Sequence, residues 1–284
     1  MLFVRRTPSH RRLRAVVSGF TERRETFAKL SSVRPLPARP TQILEFYLAD
    51  RYRVRAPGGA FFVSPEAALV GPMTEPVAEL AFEGTIETFT IHFQPTGLAR
   101  LFGVPMAMLA NEAPAAADVL GPSVVTLEAA VRCAQTFEAR VAVVQAWIED
   151  LLAVARDANS VDVAARVLAR AGGRAEIAAL SARAGLSPRQ MQRRFIDSVG
   201  VAPKHYARLH RFAAALGARE ASPRRSWTDI AHAFGFSDQA HLAREFRALA
   251  GRAPGDYFTS LADVPETMTE RMSDSFKPLT AIAR

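Results

Sequence analysis

The sequence predicts an α+β chain: a small N-terminal β-barrel-like domain with helices, then an all-α domain of two helix-turn-helix units joined by a linker helix. Three observations predict it. Apolar and polar residues alternate through Thr88-Phe89-Thr90-Ile91-His92-Phe93-Gln94, among short segments broken by Pro and Gly. The C-terminal third holds a two-copy internal repeat with helical spacing. Charge divides in step with these regions: residues 1–39 carry a net +8, residues 40–159 a net −7 and residues 160–258 a net +8.

Composition bounds the rest. At roughly 150 residues per domain, 284 residues suggest two domains. With 49% hydrophobic and 23% charged residues, the chain can fill a core, which excludes wholesale disorder. Its apolar stretches are interrupted before the roughly 18 residues a membrane span needs. Met1–Val4 run straight into Arg5 and Arg6, the reverse of a secretory signal. A cytoplasmic location is therefore expected, with no membrane partner. Cys133 is the only cysteine, which excludes an intrachain disulfide, a cysteine-rich zinc site and an iron–sulfur cluster.

In the N-terminal half, Gln42–Leu48, Gly59–Val63, Val77–Phe82 and Thr88–Gln94 read as strands separated by turns, which suggests a small barrel or sandwich. Pro95-Thr96-Gly97 then opens a short helix, Leu98–Phe102. Residues 123–157 read as helical, with Leu127, Val131, Ala134, Phe137, Val141, Val144, Ile148 and Leu151 at helical spacing. Cys133 sits in that apolar pattern and is expected to be a buried small residue. Only His10 and His92 are present in this half, too few for a metal site, and no Walker loop, dinucleotide fingerprint or Ser–His–Asp set appears, so no cofactor is expected. The basic residues 1–39 are expected to lie against the acidic stretch that follows them.

The repeat comprises residues 185–206, GLSPRQMQRRFIDSVGVAPKHY, and residues 235–257, GFSDQAHLAREFRALAGRAPGDY. Gly185, Leu186 and Ser187 match Gly235, Phe236 and Ser237. After one inserted residue, Phe195, Gly200, Pro203 and Tyr206 match Phe246, Gly251, Pro254 and Tyr257. In each copy a short helix (Ile177, Leu180, Ala184; Ile230, Ala233, Phe234) ends at the glycine, as a left-handed cap requires. Ser187 and Ser237 are read as N-caps, with Pro188 at N1 and Gln190 completing a capping box. Met191, Phe195 and Val199, then Leu242, Phe246 and Leu249, form buried stripes. Small residues, Ser181 and Ala231, stand where the paired helices cross. A close crossing, a left-handed turn and a second helix with a polar outer face are the requirements of a helix-turn-helix.

The outer faces carry Arg189, Gln192 and Arg193 in one copy and Gln239, His241 and Arg244 in the other. Arg pairs bidentately with guanine and Gln with adenine. Arg208 and Arg211, on the helix between the units, are candidates for phosphate contact, as are Arg224 and Arg225.

The second unit, DIAHAFGFSDQAHLAREFRALAGRAPGDYF, resembles the signature of AraC/XylS-type transcription regulators, and RLHRFAAAL resembles the linker helix of that family. The segment VGPMTEPVAELAFEGTIETFTIHFQPTGLARLFGVP resembles a cupin-like sensor domain. The first resemblance implies two recognition helices in successive major-groove segments, with Arg189, Gln192, Arg193, Gln239, His241 and Arg244 facing bases. It implies double-stranded operator or promoter DNA as partner, and RNA polymerase where the regulator activates. It leaves open a small-molecule effector and a homodimer. One departure stands in the signature: Phe258 follows Tyr257 where the family often has Arg. Residues 1–158 are expected to form the regulatory domain, 159–258 the DNA-binding domain, and 259–284 a loosely ordered tail. The alternative is a cupin-type enzyme or repair activity fused to a DNA-binding module, against which the scarcity of histidine argues.

Overall fold

A computed structural model describes residues 2–27, 33–56, 58–76 and 78–262. Among the described residues nine strands come first: β1 (Leu2–Pro8), β2 (Val17–Phe27), β3 (Val33–Leu36), β4 (Ile43–Tyr47), β5 (Arg53–Arg55), β6 (Phe62–Val63), β7 (Ala67–Val70), β8 (Ala78–Ala81) and β9 (Gly84–Phe93). They make two antiparallel sheets, ordered β1-β2-β9-β4-β7 and β3-β8-β5-β6. The longest pairing joins β2 to β9, with Phe20 opposite Ile91 and Glu22 opposite Phe89.

Alternation along these strands sorts residues to two faces. Phe20, Leu44, Phe46, Phe89 and Ile91 are buried against a set of helices. Those helices are α1 (Gly97–Phe102), α2 (Ala116–Leu120), α3 (Ser123–Cys133) and α4 (Phe137–Leu152), with a short 3-10 turn at Met106–Leu109. Phe89 and Phe137 meet with ring centroids 6.0 Å apart. The opposite faces of β4 and β9 hold Glu45, Tyr47, Thr88, Thr90 and His92, of which Tyr47, Thr88 and Thr90 are buried.

The stretch 123–157, expected to be helical, holds two helices, α3 and α4. Ala134 is extended (φ −69°, ψ 123°), and Thr136 starts α4 by accepting a hydrogen bond from the Ala139 N–H. The break also corrects the reading of Cys133, which is exposed. The buried stripe of α3 is Val124, Leu127 and Val131. Cys133 lies two residues beyond it, about 200° around the helix.

Helices then follow: α5 (Ser160–Arg170), α6 (Ile177–Arg183), α7 (Pro188–Val199), α8 (Pro203–Ala221), α9 (Trp227–Ala233), α10 (Gln239–Ala250) and α11 (Pro254–Ala262). Asn159 and Asp162 form a capping box that starts α5. Two cores lie here. One gathers Leu168, Met191, Phe195 and Tyr206 around α5, α7 and α8. The other gathers Phe212, Ile230, Phe246 and Tyr257 around α8, α9, α10 and α11. Helix α11 runs four residues beyond Phe258; the remainder of the predicted tail, 263–284, lies outside the described residues. No described helix is long and apolar enough to cross a membrane.

The basic N-terminal residues meet the acidic stretch in places. Arg5 pairs with Glu138 at 3.6 Å and Arg24 with Glu87 at 3.5 Å.

Candidate nucleic-acid interface

The two repeat copies fold into the same local construction. Gly185 and Gly235 turn the chain at φ 65° and 77°, a region that L side chains avoid. Just after them, the Leu186 N–H donates to Ser181 O at 3.0 Å and the Phe236 N–H to Ala231 O at 2.9 Å. Ser181 and Ala231, 4% and 0% exposed, occupy the crossings. Here a larger side chain would separate the helices.

The starts of the two second helices differ by the inserted residue. Ser187 caps α7, accepting from the Gln190 N–H, while Gln190 Oε1 accepts from the Ser187 N–H at 3.0 Å. In the second copy the cap is Asp238, not Ser237: its Oδ1 accepts from the His241 N–H at 2.6 Å. The insertion therefore falls between Ser237 and the cap, and Gln190 corresponds to His241. The imidazole of His241 turns back, its Nδ1 accepting from the Ser237 N–H at 3.2 Å. The Asp238 carboxyl is held below the usual carboxylate range, first by the His241 N–H and then by the Ser237 hydroxyl.

From the caps onward the registers coincide, and Arg193 corresponds to Arg244. Arg189, Gln192, Arg193, Gln239 and Arg244 are exposed, while His241 is half-buried. Met191 and Phe195, then Leu242 and Phe246, point the other way into the two cores. Each helix thus offers an open polar face carrying an arginine at its second turn.

The two linker-helix candidates are placed differently. Arg208 is half-buried and donates through Nε to Glu245 Oε2 of α10 at 2.5 Å, which neutralises it within the protein. Arg211 is half-buried, and its Nε is buried with no hydrogen-bond partner among the described residues. Arg224 and Arg225 are exposed, with the Arg225 guanidinium 5.8 Å from the Phe234 ring centroid.

The N-terminal half holds both α7 and α10 by their far ends. Gln42 Nε2 donates to Val199 O at 3.2 Å, at the end of α7. The Ala38 N–H donates to Leu249 O at 2.7 Å near the end of α10, and Ala38 itself is fully buried in the second core. The last carbonyls of a helix have no partner within it, so donors from elsewhere are favoured there. Gly200 (φ 96°) and Gly251 (φ 74°) close the two helices. A Cβ on Gly200 would come within 2.7 Å of Met106 O. The clasp covers the C-terminal ends and leaves the base-facing candidates open.

A second polar site lies between the sheets, on residues that sequence reasoning did not select. Glu45 accepts from Tyr52 Oη at 2.6 Å, Tyr47 Oη at 3.0 Å and Thr90 Oγ1 at 3.3 Å. His92 Nε2 meets Thr21 Oγ1 at 2.9 Å, and burial, with Arg6 and Arg39 adding, pushes its pKa down to about 4. Arg39 Nε is buried with no hydrogen-bond partner among the described residues. The alternation of Glu45 and Tyr47 with Leu44 and Phe46 was the available signal. Among the described residues, no group of three or more His, Cys, Asp or Glu side chains converges where a metal could sit.

Residues 180–260 match the family model of a helix-turn-helix domain, and residues 5–114 that of a domain of unknown function (DUF6597). No curated protein matches. Among solved structures, ToxT from Vibrio cholerae O395 is similar at 11% identity, with a TM-score of 0.48, over 86% of this chain and 99% of that one. The same protein bound to (E)-4-(8-methylnaphthalen-1-yl)but-3-enoic acid is similar at 10% identity and a TM-score of 0.48, over 85% and 99%. The AraC-like transcriptional activator CuxR is similar at 11% identity and a TM-score of 0.24, over 96% and 90%.

Proposed function

We propose that the chain, whose residues 180–260 match a helix-turn-helix domain, is a DNA-binding transcription regulator of the AraC type, and that α7 and α10 read two successive major-groove segments of one operator. The observation that carries this reading is the register of the two helices. Arg193 and Arg244 fall at the same position of the same capped construction, both exposed, each beside further polar side chains. Arg193, Arg244 and Arg189 suit guanine, and Gln192 and Gln239 suit adenine. His241 contributes by fixing the first turn of α10, since its Nδ1 is engaged by Ser237. Phosphate contacts fall to exposed arginines such as Arg224 rather than to Arg208, whose charge is taken up by Glu245.

The proposed regulatory domain is residues 1–158 and the proposed DNA-binding domain 159–258. Regulation acts on the relative placement of the two recognition helices, because the clasp at Val199 and Leu249 grips both without covering their reading faces. The buried polar cluster around Glu45, Arg39 and His92 supports the uptake of a small polar effector between the sheets. We infer a non-enzymatic role in the cytoplasm.

The test is selection of bound sequences from random duplex DNA at near-physiological salt. Two enriched blocks, about one helical turn apart, are expected. Enrichment of one block alone, or of none, overturns tandem reading.

A further inference from the structure

Along the chain only α8 joins the two helix-turn-helix units, but a side chain also crosses between them. Arg174 lies in the loop between α5 and α6, in the first unit. Its Nε donates to Ala171 O, at the end of α5, at 3.2 Å. Its Nη1 donates to Ala233 O, the last residue of α9 in the second unit, at 3.1 Å. One guanidinium thus closes helix ends in both units. Helix C-terminal carbonyls lack internal partners and carry partial negative charge, and the planar fork of Arg suits two of them at once.

The stem of the same side chain completes the contact. Arg174 Cγ and Cδ lie 3.8 and 3.9 Å from where a Cβ on Gly235 would stand, and Arg211 Cδ lies at 3.9 Å. Two arginine stems, from different elements, therefore cover the turn of the second unit. The loop that bears Arg174 is itself fixed: a Cβ on Gly173 would meet Ala207 O of α8 at 1.9 Å, so the loop backbone is pressed onto the linker helix.

We propose that Arg174 is a positioning residue that sets the spacing and rotation between the two recognition helices at their DNA-reading end. From Ala233 the chain passes through Gly235 to the cap Asp238, so a shift at the end of α9 is carried into the first turn of α10. The N-terminal clasp holds the opposite ends of α7 and α10 and leaves this end to the brace. The role rests on the tandem reading proposed above. It adds which residue makes that reading selective for one distance between the blocks.

The experiment compares the full chain with its R174A and R174Q variants on the selected operator. Three kinds of duplex are used: native spacing, one base pair added or removed between the blocks, and one block alone. For R174A, single-block affinity stays within about twofold of wild type. Affinity at native spacing falls about fivefold, the worth of one net hydrogen bond, and the penalty for wrong spacing shrinks. R174Q, which keeps an uncharged donor, falls between. An unchanged spacing penalty overturns the brace. So does an equal loss on all duplexes with a salt slope shallower by about 0.9, which would make Arg174 a phosphate contact. If R174A loses its thermal transition, R174Q and R174K carry the same comparison. Failure of wild type itself to prefer two spaced blocks would overturn tandem reading instead, so the two failures are distinct.

Discussion

Arg193 and Arg244 make the proposal testable at the level of single side chains. Both stand at the second turn of a recognition helix, exposed and without an ion-pair partner among the described residues. An arginine that reads a base loses discrimination when truncated, whereas one that holds a phosphate loses affinity for any sequence. Arg193→Ala and Arg244→Ala are each expected to weaken operator binding by about 1–3 kcal/mol and binding to scrambled duplex far less. Each should relax preference in one block only. Titration of the selected operator and a scrambled duplex with each variant checks this, and equal loss on both duplexes removes that residue from base readout. Arg208 is the useful contrast. Its ion pair with Glu245 ties α8 to α10, so Arg208→Ala should lower melting temperature more than the salt slope of DNA binding.

At the scale of elements, what sequence reveals depends on the range of the interactions. The repeat was legible because capping and turn chemistry are local. Ser187 with Gln190, the glycines at 185 and 235, and the small residues at the crossings each act within a few positions. The cap of α10 was misplaced by one residue because Ser237 and Asp238 are both competent caps; it is Asp238 that takes the His241 N–H, while the His241 imidazole accepts from the Ser237 N–H. Strands β1 and β2 went unread because charged residues break the apolar alternation on both faces: Glu22, on the face of Phe20, is buried and paired to Arg140 of α4, and Glu25 is buried on the opposite face. The clasp was invisible, since Gln42 and Val199 lie far apart in the chain. It still makes a demand on one position. A residue with a side chain at Gly200 must adopt a left-handed backbone and also displace Met106 O or Pro72. Gly200→Ala is therefore expected to cost more than the roughly 1 kcal/mol of the cap alone. Gly185→Ala, with open space around it, should cost the cap alone. Urea unfolding of the two variants compares them directly, and equal losses would mean the clasp yields freely at Gly200.

The whole molecule unfolds as one body if the clasp is strong and as two if it is weak, and two buried histidines can report which. His92 lies between the sheets with its pKa lowered to about 4 by burial and by Arg6 and Arg39. His210 lies in α8, edge-on to Tyr206 at 4.4 Å between centroids, with its pKa lowered to about 3 by burial. Both are lowered from 6.5, so each is neutral in the folded chain and takes up a proton on unfolding in mild acid. The stability they allow is fully present above pH 6.5 and declines as pH falls from there toward the folded values. By pH 5 the loss is about 2 kcal/mol for each histidine. Ala38 is buried among Leu209, Phe212 and Phe246, and its N–H closes α10, so exposing the second core breaks a contact of the N-terminal half. We therefore expect one calorimetric transition at pH 7.5 and one at pH 5, with the acid loss carrying both histidines, about 4 kcal/mol. Proton uptake of at least two per molecule at pH 5 should accompany it, His205, whose pKa burial also lowers, adding to the two. Ala38→Glu places a charge in that core and should split the transition in two, each part then losing the share of one histidine. Two transitions already in the wild-type chain, each taking up at least one proton, would show that the halves unfold independently. The clasp would then be too weak to carry regulation from the sheets to the recognition helices.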